Sequence, residues 1–189
     1  MSDARFLDDP SPRLQSAYRA VHEKRMRGLP FVNEALRVEA VGFAPWKTYW
    51  LGVMVTPWSM NLMLLPRDPD VWRALPIGAK RRYTFPAGAF DFIVGHGDDI
   101  GDYLACSLFS PVQEFADHAT ARETAALARA ALFDAANAEA SEHDKLVTRE
   151  NGAADAAPGP IAQIEQTLEQ PMSRRDLLRA RFLDHEPRR

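Results

Sequence analysis

Tyr49-Trp50-Leu51-Gly52-Val53-Met54-Val55, then Thr56-Pro57-Trp58-Ser59-Met60, then Asn61-Leu62-Met63-Leu64-Leu65: this stretch decides the fold. Two short apolar runs, bounded by Pro57 and Pro66, are separated by a connection suited to a hairpin loop. A parallel crossover would need a dozen or more residues, so the pairing is antiparallel. Downstream the pattern repeats. Arg82-Tyr83-Thr84-Phe85 and Phe90-Asp91-Phe92-Ile93-Val94 flank the turn-prone Pro86-Ala87-Gly88, and Phe90, Phe92 and Val94 alternate onto one face. His96-Gly97-Asp98-Asp99 reads as a turn, and Tyr103-Leu104-Ala105-Cys106-Ser107-Leu108-Phe109 as a last strand.

Helical signals stand on both sides of this strand region, which spans about residues 36–112. Upstream, Ser11 is placed to cap a helix, Pro12 suits its first helical position and Gly28 its stop. Leu14, Ala17, Tyr18 and Val21 make the apolar face, leaving Arg13, Arg19, Glu23 and Lys24 to water. Downstream, Thr120 and Glu123 form a capping-box pattern ahead of an Ala-rich helix expected to reach about Ala138, with Leu127, Ala131 and Phe133 among its apolar residues. The fold class is therefore α+β: an antiparallel β-sheet flanked by an N-terminal helix and a later Ala-rich helix, with a flexible C-terminal tail. The expected organisation is a tail over residues 1–10, a domain over 11–139, a linker over 140–170 and a basic peptide over 171–189. The linker is rich in Ala, Glu, Asp, Pro and Gly and poor in large apolar groups, so it cannot offset its own chain entropy by burial.

Composition narrows the function. The hydrophobic fraction of 46%, with four Trp and ten Phe among 189 residues, is enough for a real core. Each large buried side chain contributes roughly 1.5–3 kcal/mol. A net charge of -3 gives no sign of a nucleic-acid partner. One cysteine, Cys106, excludes an intramolecular disulfide, a CxxC pair and an all-cysteine zinc or iron–sulfur site within one chain. The N-terminus has no basic region leading into an apolar run, and no stretch reaches the ~18 apolar residues of a membrane helix. A soluble, cytoplasmic protein without stable membrane insertion is expected.

Enzyme motifs are sparse. Cys106 and His96 could act as nucleophile and base only if their side chains met, whereas a free cysteine within an apolar run ordinarily belongs to the core. His96, Asp98 and Asp99 are three potential metal ligands on one loop, but the adjacent glycines suit a plain surface turn equally well. His118 and His143 lack metal-ligand spacing, Gly95 and Gly97 do not complete a dinucleotide fingerprint, and Ser107 and Ser110 are not in a GxSxG setting. No catalytic residue, metal site or cofactor is assigned. The alternative is a small metal- or thiol-dependent enzyme of cofactor assembly using Cys106 and His96.

One motif is out of place. Ser173-Arg174-Arg175-Asp176-Leu177-Leu178 reads like the core of a twin-arginine export signal, yet it lies near the C-terminus and continues into Arg179-Ala180-Arg181 instead of an apolar run. It is not expected to export this chain.

Three longer segments carry a resemblance. VTPWSMNLMLLP (residues 55–66), FPAGAFDFIVG (85–95) and DYLACSLFSPVQEF (102–115) are similar to the signature segments of the HybE-type nickel–iron hydrogenase assembly chaperones. The likeness covers about residues 14–137, in order and with compatible gaps. It implies a cytoplasmic, non-catalytic maturation factor without a cofactor. Such a factor would hold the precursor of an exported hydrogenase, notably the small subunit with its twin-arginine leader, until metal centres and subunits are assembled. The large subunit and other maturation factors are further candidate partners. Some relatives are fused to a rubredoxin domain, whose four thiolates one cysteine cannot supply.

The residues themselves suit a binding protein. Trp46, Trp50, Trp58, Met54, Met60 and Met63 cluster around one hairpin, and Trp and Met favour adaptable apolar interfaces. Trp50, Met54 and Met63 lie within strands and are assigned to the core. Trp58 and Met60, at the loop, and Phe109, Ser110 and Pro111, where the last strand breaks, are the expected exposed partner-binding residues. The terminal segment has two readings: Arg174, Arg175, Leu177 and Leu178 mimic a leader and occupy the chain's own groove, or they belong to an amphipathic helix packing Leu178 and Phe182 on the domain.

Overall fold

The computed structural model describes residues 8–67 and 76–137. Helix α1 (Ser11–Val21) widens into a π turn (His22–Met26), and Gly28, at φ +81°, follows it. Six strands come next: β1 (Glu39–Trp46), β2 (Tyr49–Val55), β3 (Met60–Pro66), β4 (Lys80–Phe85), β5 (Gly88–Gly97) and β6 (Gly101–Phe109). Helix α2 (His118–Ala131) follows the sheet. All pairings are antiparallel, in the order β1-β2-β3-β6-β5-β4. The fold is thus α+β, with the sheet between the two helices. Strand β1 escaped the sequence reading because its alternation is broken: the register slips between Val41 and Ala44, and Pro45 tolerates strand geometry only on an edge such as this one.

Alternation along the strands builds two cores. Leu51, Val53 and Val55 of β2, Leu62 and Leu64 of β3, Phe90, Phe92 and Val94 of β5 and Leu104 of β6 share one face with Ala121, Ala125, Ala128 and Leu132 of α2. Alanines at this contact let α2 lie close to the sheet. On the other face, Met54, Met63 and Leu65 meet Leu14, Ala17 and Tyr18 of α1. That face also holds two flat contacts: the Phe43 ring lies where a Gly52 side chain would be, and the Tyr103 ring does the same at Gly95.

The sheet curls strongly. β2 and β4 are far apart in the strand order, yet the Tyr83 hydroxyl donates to the Tyr49 hydroxyl at 2.9 Å. Trp46 of β1 likewise stacks on Phe85 of β4 with ring centroids 4.5 Å apart. The larger core lies inside this curl.

Both helix caps differ from the sequence expectation. Pro10, not Ser11, is the N-cap of α1; Ser11 is the first helical residue, and its backbone N–H and hydroxyl both donate to the carboxylate of Asp9, just ahead of the cap. Asp117, not Thr120, caps α2 and accepts from the Thr120 N–H at 2.8 Å. A carboxylate is the stronger partner for the positive end of a helix. Helix α2 also ends at Ala131, short of Ala138, because the Leu132 carbonyl is taken by the Ala87 N–H at 3.0 Å, docking the chain on the β4–β5 turn. The expected linker over 140–170 and the segment containing Arg174, Arg175, Leu177 and Leu178 lie outside the described residues.

Candidate functional site

The β2–β3 turn is locked from within. Thr56 Oγ1 donates to the Ser59 carbonyl at 2.8 Å and accepts from the Ser59 N–H at 3.0 Å. This lifts Trp58 out of the sheet, half-buried against α1, where it stacks on Tyr18 at 6.5 Å and tilts against His22 at 5.8 Å. Outside the turn, the Pro57 carbonyl accepts from the Asn33 N–H, while Asn33 Nδ2 donates to the carbonyls of Val112 and Phe115. One asparagine therefore ties the Trp58 turn, the loop bearing exposed Leu29 and Phe31, and the chain after β6 into one end of the molecule.

Trp58 opens onto a cleft of about 540 Å³. Helix α1 and the following π turn supply Ala17, Tyr18, Val21, Lys24 and Arg25; the β5–β6 connection supplies His96, Asp98, Asp99, Ile100 and Tyr103. The Tyr18 hydroxyl sits on Met63 Sδ at 3.9 Å. Burial, with the Tyr103 hydroxyl beside it, pushes the Tyr18 phenol far above the usual tyrosine range, so it stays neutral. His96 Nδ1 is held by Asp102 Oδ1 at 2.6 Å. Asp98 and Asp99 are exposed and, among the described residues, without an ion-pair partner; so are Lys24 and Arg25. The cleft is aromatic, with unspent acid from one element and unspent base from another.

Two expected site residues move. Met60 and Phe109 are fully buried, because they face one another across β3 and β6 and point into the larger core, where Phe109 meets Phe115 at 5.2 Å. The expectation that they are exposed is corrected: strand pairing continues through positions that sequence had given to loop ends. Ser110 and Pro111 are exposed, joined by a cis peptide, but they do not line the cleft at Trp58. Lys24, Arg25 and Tyr18 were read only as parts of a helix. Asp98 and Asp99 were read as turn residues or metal ligands, and only packing brings these groups to Trp58.

The enzymatic pair is not assembled. His96 faces Asp102 across β5 and β6, whereas Cys106 pairs with Leu62 four residues further along β6, which is roughly 13 Å away at ~3.3 Å per residue. Among the described residues, no three His, Cys, Asp or Glu side chains are grouped to hold a metal ion. In a second cleft, lined by Arg37, Glu39, His118, Arg122 and Glu123 among others, Glu39, His118 and Arg122 are already engaged with one another. There His118 Nδ1 accepts from the Arg37 N–H, so Nε2 donates to Glu39 Oε2 at 2.6 Å, while Arg122 takes Glu39 Oε1 at 2.8 Å. Among the described residues no helix is long and apolar enough to cross a membrane.

This architecture has known counterparts. The chain is 43% identical over 126 residues to the hydrogenase expression/formation protein HupJ of Bradyrhizobium diazoefficiens, covering 67% of this chain and 73% of that one. It is 37% identical over 133 residues to the probable rubredoxin HupJ of Rhodobacter capsulatus, spanning 70% of this chain and 47% of that protein. The solution structure of HybE from Escherichia coli shares the fold at a TM-score of 0.56 and 24% identity, over 71% of this chain and 82% of that one. The family described as NiFe-hydrogenase assembly, chaperone, HybE matches residues 9–180. With nearly the whole length inside that match, the chain belongs to the HybE family of nickel–iron hydrogenase assembly chaperones.

Proposed function

We propose that the protein acts in the cytoplasm by non-covalent binding, holding the precursor of a nickel–iron hydrogenase small subunit through its twin-arginine leader until assembly is complete. The observation that carries this reading is the cleft at Trp58. It combines an aromatic surface that accepts leucine-like side chains with Asp98 and Asp99, which accept guanidinium groups. Neither catalysis nor a cofactor of its own is part of the role. The exposed Leu29, Phe31, Ser110 and Pro111, tied to the same end of the molecule through Asn33, offer a second contact for apolar surface of an immature subunit.

The test is a pull-down of the small-subunit precursor with Trp58→Ala and with Asp98→Lys/Asp99→Lys. Met60 is left intact because its replacement would open the core. Each variant should stay folded by circular dichroism and recover at least about tenfold less precursor, the equivalent of ~1.4 kcal/mol. Wild-type recovery by both folded variants would remove the cleft from the client site.

A further inference from the structure

We propose that the chain's own residues 174–178 compete with clients for the Tyr18–Trp58 cleft, a self-docking that rests on the reading of this cleft as the client site. The argument is complementarity of order and charge. Arg174-Arg175-Asp176-Leu177-Leu178 presents two cations, one anion and two leucines in succession. The cleft offers Asp98 and Asp99 from the β5–β6 connection, Lys24 and Arg25 from the end of the first helical segment, and the rings of Tyr18, Trp58 and Tyr103 with Ile100. Each class of group in the segment thus has a counterpart in the cleft, and the four charged counterparts are unpaired among the described residues.

The wider charge distribution agrees. Residues 171–189 hold six arginines against three acidic residues, while the whole chain is at -3, so the remainder is more acidic than the total. Reach is sufficient as well. Residues 138–173 connect Asn137 to the segment; fully extended they would span ~120 Å, against a radius of gyration of about 14 Å for a domain of this size. A tethered segment acts at an effective concentration in the millimolar range, so weak docking is enough to hold off a weak client and yield to a strong one. The consequence is a selectivity threshold: only a client that binds the cleft more strongly than the built-in segment gains entry.

The test uses the full-length chain and a fluorescein-labelled synthetic peptide with the sequence of residues 171–183, followed by fluorescence anisotropy. Arg174→Glu/Arg175→Glu should bind the peptide about tenfold more tightly than wild type. The charge-neutral Leu177→Ala/Leu178→Ala should also tighten binding, which separates loss of docking from a change in net charge. Asp98→Lys/Asp99→Lys should lose the peptide in every background. Unchanged affinity in both tail variants, with loss in the aspartate variant, overturns self-docking and leaves the client site standing. Peptide binding indifferent to Asp98 and Asp99 overturns the cleft itself, and with it both proposals.

Discussion

At Gly52 an aromatic ring fills the place of a side chain: an added Cβ would lie 2.4 Å from ring carbons of Phe43. Phe43 is partly buried and packs against the core beneath α1, so moving its ring aside would give up that packing. Gly52→Ala should destabilise the protein by about 1–3 kcal/mol through overpacking, read as a lower midpoint in urea unfolding. Asp117 is constrained differently. Hydrogen bonds from the Thr120 backbone and side chain hold its carboxyl below the usual aspartate range. A lowered folded-state pKa means the cap stabilises fully above the ordinary value near ~4 and fades as pH falls through the folded value. The difference in thermal midpoint between wild type and Asp117→Ala should therefore be clear at pH 7 and shrink towards pH 2. The sequence made these helix starts visible but misplaced the caps, because Ser11 and Thr120 are also good capping types and only geometry shows which oxygen faces the free N–H groups.

At the scale of elements, each helix depends on what its inward positions carry. Helix α1 is anchored by one fully buried residue, Leu14, in a cluster with Val38, Met54, Met63 and Leu65. Leu14→Ala should cost about 2–5 kcal/mol and loosen Tyr18, which heads one wall of the cleft. Urea titration gives the first effect, and weakened precursor recovery beyond the folded fraction gives the second. Helix α2 fails in the opposite sense. Ala125 is fully buried against the curled sheet, so Ala125→Leu should destabilise by about 1–3 kcal/mol, checked by the same titration. Short apolar runs and their turns located β2 to β6 in the sequence. They did not fix where the strands stop, since Met60 and Phe109 look like loop residues until β3 and β6 are set in register.

For the whole molecule, closure of the curl matters most. The sheet's ends meet through Trp46, Tyr49, Tyr83 and Phe85, with Lys47 4.6 Å above the Trp46 ring. Trp46 is half-buried, so Trp46→Ala should cost about 2–3 kcal/mol, less than the ~3–5 of a fully buried tryptophan, and denaturant unfolding would show it. The sequence by itself determined the α+β class, the antiparallel order of the hairpins, the Trp58 turn and the family. These rest on local periodicity, turn chemistry and linear motifs, all of which survive without three-dimensional contacts. Tertiary structure alone decided the curl, the β1 edge, the burial of Met60 and Phe109, and the cleft where α1 and the β5–β6 turn meet Trp58. Apart from the β1 edge, whose irregular alternation hid it although its hairpin with β2 is local, these features are set by pairing and packing between residues roughly 35 to 85 positions apart, distances over which no local pattern carries information.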